Sequence, residues 1–126
     1  MQYHAALCRT REGSVKPFLG PYLNYVRRVP MGVCALITPF NHPCLIAIKK
    51  IAPALAAGNS IVVKPSELAP LSVLRLCQLL HEAGVPPGVV NVVPGGAEVS
   101  KAIVGDPRVR KVDLTGGTAT GRLVGA

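Results

Sequence analysis

The chain has 126 residues, 49% of them hydrophobic and 16% charged. That suits one domain with its own core and excludes a disordered chain, a long stalk or a multidomain machine. Fourteen Lys and Arg against six Asp and Glu give a net charge of +8, but the bases are scattered and no aromatic-interleaved basic stripe marks a nucleic-acid surface.

Residues 1–31 are broken by Gly13, Pro17, Gly20, Pro21 and Pro30. They read as an irregular segment with Tyr22–Val29 as its candidate edge strand. From residue 32 onward the pattern is regular, and 32–126 is expected to form one α/β domain. Gly32–Thr38 is a short apolar run, predicted to be a buried strand. Pro43–Ala57 is predicted as a helix, with proline in its first turn and Gly58 past its end. Ser60–Lys64 is a second, β-branched strand. The next helix has Pro70 near its start, Val73, Leu76, Cys77 and Leu80 at helical spacing, and Gly84 at its end. Val89–Val93 is a third strand, Glu98–Val104 a short helix, and Val109–Leu114 a fourth strand. Gly116–Gly121 then leads into another helix.

Strands apolar on both faces and joined by crossover helices predict a parallel sheet covered on both sides. Ligands of such sheets bind beyond the carboxyl ends of the strands. Four segments stand there: Thr38–Asn41, Lys64–Glu67, Pro94–Gly96 and Thr115–Thr118. Asn41, between two prolines, is either a preset amide donor for a developing oxyanion or a cap for the following helix. Lys64 and Glu67 offer a carboxylate and a cation to ribose hydroxyls, or else Ser66 and Glu67 start a helix. Gly116, Gly117 and Thr118 allow close approach of a pyrophosphate to backbone amides, or simply form a tight turn.

Cys8, Cys34, Cys44 and Cys77 make no C-x-x-C, and His4, His42 and His81 add no metal-ligand spacing. Free thiols in a reducing compartment, and no metal, are expected. No Cys or Ser stands in a nucleophile setting with a His and an acid. The longest apolar stretch, Pro43–Ala57, carries Lys49, Lys50 and Pro53 and is too short to span a bilayer. With no signal pattern at the N-terminus, the expectation is a soluble, cytoplasmic chain without membrane or nucleic-acid partners.

Read together, Arg28–Val33, Thr38–Pro43, Ala57–Asn59, Val63–Glu67, Gly84–Gly95 and Leu114–Thr118 resemble, in order, the coenzyme-binding region of the NAD(P)-dependent aldehyde dehydrogenase superfamily. The resemblance covers about residues 21–126. It implies a Rossmann-like parallel sheet with helices on both faces, incomplete relative to the full family fold. It implies that Asn41 holds the oxyanion of a thiohemiacetal, that Thr38, Pro39 and Phe40 line the nicotinamide side, and that Lys64, Glu67 and nearby Ser66 bind the adenosine ribose. Gly96 then flanks the adenine, and Gly116, Gly117 and Thr118 lie under the pyrophosphate. The implied cofactor is NAD, with NADP as the alternative, and the implied partners are an aldehyde and further copies of the subunit.

Three departures qualify the match. The family commonly has Ser where this chain has Gly117, and a glycine usual near Ser100 is absent. The family's glutamate base and cysteine nucleophile lie beyond Ala126. The chain alone is therefore expected to be inactive, a coenzyme-binding segment, the alternative being a truncated product that serves only as an interaction fragment. Glu67 favours NAD over NADP, because a carboxylate beside the ribose repels a 2′-phosphate; Lys64 works in the opposite direction.

Overall fold

The first 31 residues carry more regular structure than their Gly and Pro content implies. In the computed structural model, which describes residues 1–125, Gln2–Thr10 form helix α1, while Ser14–Lys16 (β1) and Asn24–Val26 (β2) pair antiparallel as a separate ribbon. The expected edge strand at Tyr22–Val29 is thus shorter, and it pairs with β1 rather than with the main sheet. The prolines and glycines of 17–21 form the connection that makes this local pairing possible. Met1, which caps α1, and Ala5 and Cys8 within it lie on one stripe and line a small cavity with Ala52, Leu55 and Ala56 of the next helix. Ala126, the last residue of the expected domain, lies outside the described residues.

The regular part follows the alternation read from the sequence. Val33–Ile37 (β3) leads to Pro43–Ala56 (α2), Ser60–Lys64 (β4), Leu71–Glu82 (α3), Val90–Val92 (β5), Ala97–Gly105 (α4), Val109–Leu114 (β6) and Thr118–Gly125 (α5). The four strands β5-β4-β3-β6 form one parallel sheet in that order. Counted among themselves they run 3-2-1-4, the first part of a doubly wound sheet, with the reversal of order between β3 and β6.

Period-2 alternation sorts the side chains. Cys34, Leu36, Ile61, Val63 and Val90 point to one face and are buried against Ala47 and Ile51 of α2 and Val73, Cys77 and Leu80 of α3. Each fully buried aliphatic side chain contributes about 1.5–3 kcal/mol relative to exposure. The opposite face of β3 and β6 is covered by α4, which carries the chain from β5 to the other edge. α2 stops where the sequence marks it. Gly58 takes φ +80°, and the amides of Gly58 and Asn59 bond back to Leu55 and Ala54 at 2.9 and 3.1 Å.

The turn from α4 into β6 is held by charge. Asp106 Oδ1 accepts the Arg108 backbone N–H at 2.9 Å, and Oδ2 accepts Nη2 at 2.7 Å. The guanidinium first, then that backbone bond, lowers the carboxyl from 3.8 to about 2. A depressed carboxyl adds stability above its unfolded pKa and loses it as pH falls through the folded value. Asp106→Asn is therefore expected to be less stable than the parent at neutral pH, with the two converging as pH falls from about 3.8 to about 2. Urea unfolding over that range checks it, and a constant difference down to the acid end contradicts it.

Candidate functional site at the carboxyl edge of the sheet

Each strand of the sheet ends in one of the polar or glycine-rich segments, and backbone bonds knit the four together. Val93 N–H bonds to Val63 C=O at 2.9 Å, Thr38 N–H to Lys64 C=O at 3.1 Å, and Thr115 N–H to Ile37 C=O at 3.1 Å. All the residues singled out, namely Thr38, Pro39, Phe40, Asn41, Lys64, Ser66, Glu67, Gly96, Gly116, Gly117 and Thr118, therefore share one edge. With strands about 4.8 Å apart, the edge spans about 14 Å. A ligand touching every loop must be extended, as a dinucleotide is.

Lys64 ends β4 with its side chain only 6% exposed, and its Nζ donates to Glu67 Oε2 at 3.3 Å. Glu67 is 58% exposed. Its own backbone N–H, and then the Lys64 ammonium, hold its carboxyl below the usual range. The helix-start reading of this segment does not hold, since α3 begins at Leu71. Residues 66–69 instead form a turn in which Ser66 Oγ accepts Leu68 N–H at 3.3 Å and Ser66 C=O accepts Ala69 N–H at 3.2 Å. Pro70 explains the shift, because its fixed φ suits it as the N-cap just ahead of the first turn. Glu67 is thereby left on the rim and outside the helix.

Asn41 is likewise not the cap of α2: that position is His42, and no side-chain capping bond is made. Phe40 is 54% exposed and flanks the same loop. Gly96 is the N-cap of α4, and Thr118 opens α5, whose Gly121 N–H bonds to Gly117 C=O at 3.0 Å.

Three features fit an extended, hydroxyl-rich anionic cofactor. Thr38 is 3% exposed, and its hydroxyl has no hydrogen-bond partner; a buried orphan of this kind costs about 1–3 kcal/mol unless something satisfies it. A Cβ at Gly96 or Gly117 would meet nothing within 4 Å, and neither has a positive φ, so the protein's own packing does not demand glycine there. Lys64 has three N–H donors, of which Glu67 takes one. Gly95 differs from its neighbours: with φ +151°, a Cβ there would lie 2.5 Å from Val99 Cγ2, so it is required by the turn itself.

Two larger cavities lie elsewhere. One, about 500 Å³, is lined by Arg11, Arg27 and Arg28 near the end of α2; the other, about 600 Å³, lies under α4 beside Asn91 and Arg108. Neither includes a residue of the strand-end rim. Among the described residues, no three His, Cys, Asp or Glu side chains gather to hold a metal, and no helix is long and apolar enough to cross a membrane.

Two polar residues escaped the sequence reading. Lys50 is buried and paired with Asp113 of β6. Its signal was available, since it falls on the buried stripe of α2 with Ala47 and Ile51, where a charge needs a partner. Asn59 is also buried; its amide bonds to three backbone groups, and nothing in the local sequence reveals them.

Comparison with known proteins gives a consistent picture. Residues 1–126 match the profile of the aldehyde dehydrogenase family. PnpE from Pseudomonas sp. WBC-3 is 48% identical and superposes with a TM-score of 0.94 over 98% of this chain and 26% of that one. A PnpE structure in complex with nicotinamide adenine dinucleotide gives the same values. The NAD+ complex of an aldehyde dehydrogenase from Bacillus cereus is 42% identical, with a TM-score of 0.93 over 98% of this chain and 25% of that one. The present chain spans about a quarter of the length of these relatives.

Proposed function

This chain belongs to the aldehyde dehydrogenase family, and from that premise we propose that it is the coenzyme-binding segment of an enzyme that oxidises an aldehyde with NAD+. The observation that carries the reading is the strand-end rim, where a buried Lys64, an exposed Glu67, an orphaned Thr38 hydroxyl and open glycines lie along one edge. The NAD complexes among its relatives support the cofactor. When bound, that cofactor supplies the acceptor for a hydride.

The chain's own residues supply orientation and charge. Glu67 accepts the ribose hydroxyls, and Lys64 fixes Glu67 from beneath while keeping donors free for the same sugar. Backbone amides at Gly116, Gly117 and the start of α5 face the phosphates, where a helix N-terminus favours negative charge. Thr38, Pro39 and Phe40 border the nicotinamide side. Asn41 donates its side-chain N–H to the oxygen on which charge develops as the aldehyde carbon is attacked. The nucleophile and base come from outside these residues. The same reading assigns a cytoplasmic, homo-oligomeric enzyme and a domain running from residue 32 onward.

Glu67 also sets the choice of cofactor. Its carboxylate is held ionised, and a 2′-phosphate beside it brings two anions together. NAD+ is expected to bind more tightly than NADP+. In Glu67→Ala, NAD+ affinity is expected to fall about tenfold, the value of one hydrogen bond to a charged group, while NADP+ weakens less. Calorimetric titration of both proteins with both cofactors tests this. Equal NAD+ affinities for parent and variant, or tighter NADP+ binding by the parent, overturn it.

A further inference from the structure

Asn41 and His42 stand in an order that ordinary helix chemistry would reverse. Asparagine is among the strongest N-cap residues, because its side-chain oxygen accepts a first-turn amide. Yet α2 takes His42 as its N-cap, and among the described residues the Asn41 amide makes no hydrogen bond. An N-cap residue normally has extended dihedrals. His42 instead has φ 47° and ψ 51°, and among the described residues it is the one non-glycine with positive φ.

Two contacts make that conformation unfavourable. In the left-handed region an L-residue's Cβ crowds the following carbonyl oxygen, and the ring of Pro43 pushes the residue before it toward extended geometry. The helix nevertheless starts from this residue, with the His42 carbonyl accepting Ile46 N–H at 3.0 Å. The surrounding structure over-determines a strained residue next to the side chain with the most direct chemical task. Strain placed in that way belongs to a site more often than to a scaffold.

We infer that His42 is a positioning residue acting through its backbone: its left-handed turn holds Asn41 one step outside the helix, so that the amide stays available at the rim. The role of the amide rests on the reading of Asn41 as oxyanion donor. The positioning itself does not. Extended dihedrals at residue 42 would rotate the preceding peptide and carry Asn41 to a different orientation.

The test uses this chain without cofactor, in four forms: the parent, His42→Asn, His42→Gly and His42→Val. The residual dipolar coupling of the Asn41 backbone N–H reports its orientation, and urea unfolding reports the folding equilibrium. Asparagine tolerates the left-handed region, so His42→Asn is expected to keep the parent coupling. Glycine adopts the left-handed form without the Cβ cost, so His42→Gly is expected to keep the parent coupling while raising the folding constant about fivefold through relief of strain. Valine disfavours positive φ, so His42→Val is expected to change the coupling and lower the folding constant about tenfold.

If valine prevents folding, the asparagine and glycine arms decide. A folding constant no higher than the parent's in His42→Gly shows that the turn is unstrained and overturns the inference, and so does a parent coupling in folded His42→Val, since a purely structural residue changes stability without turning Asn41. Failure of the chain to bind NAD+ would count against the proposed function and leave this result standing.

Discussion

Asn59→Ala is expected to cost about 3 kcal/mol of folding stability, the loss of several buried hydrogen bonds together with the donors left unsatisfied. Asn59 Oδ1 accepts Met31 N–H at 2.7 Å and Gly32 N–H at 3.1 Å, and Nδ2 donates to Ala54 C=O at 3.1 Å. One amide thus ties the entry of β3 to the end of α2, directly beside the Ser60-to-Gly32 bond that starts the β3–β4 pairing. Alanine leaves two backbone amides without this acceptor. The midpoint of urea unfolding should fall accordingly, and a cost below about 1 kcal/mol would mean that water replaces the amide freely.

Asp113→Ala is expected to cost about 2 kcal/mol for a different reason. Lys50 is 6% exposed and Asp113 39% exposed, so the substitution strands a buried ammonium while water reaches only the partner's side. Removing one member of a buried pair is worse than removing both. The double variant Lys50→Met with Asp113→Ala should therefore recover most of the loss. If the double variant is instead as unstable as the two single costs added together, the pair is not coupled and the account of Lys50 fails.

The fold was legible because its signals are local and repeat. Apolar runs near 33, 60, 90 and 109 and the helix stops at Gly58 and Gly84 each carry their own meaning, and together they dictate a parallel sheet. The main error lay where a short element depends on a partner: β2 exists because β1 is there to pair with it, and neither segment announces that alone. The stripe Met1, Ala5, Cys8 was short enough to pass unnoticed among polar residues.

The candidate site was legible in its residues but not in its local geometry. Strand-end logic and the family resemblance both named Lys64, Glu67 and Asn41. Local propensity favoured Ser66 and Asn41 as helix caps, and the structure makes neither one a cap. The reason is proline: Pro70 and Pro43 set where α3 and α2 begin, leaving the polar residues ahead of them in loops at the rim. Asn59 was beyond reach because its partners at Met31 and Gly32 meet it only after β3 and β4 have paired.

The proposed dinucleotide site is the carboxyl edge of this sheet. Titrating NAD+ into the isotopically labelled chain, and following every backbone amide by NMR, tests it most directly. Shifts should concentrate at Thr38, Glu67, Gly96, Gly116, Gly117 and Thr118, and they should be weakened by Lys64→Met. Shifts concentrated instead at the opposite end of the strands, around Gly58, Gly88 and Arg108, or an unchanged spectrum at saturating NAD+, would contradict it.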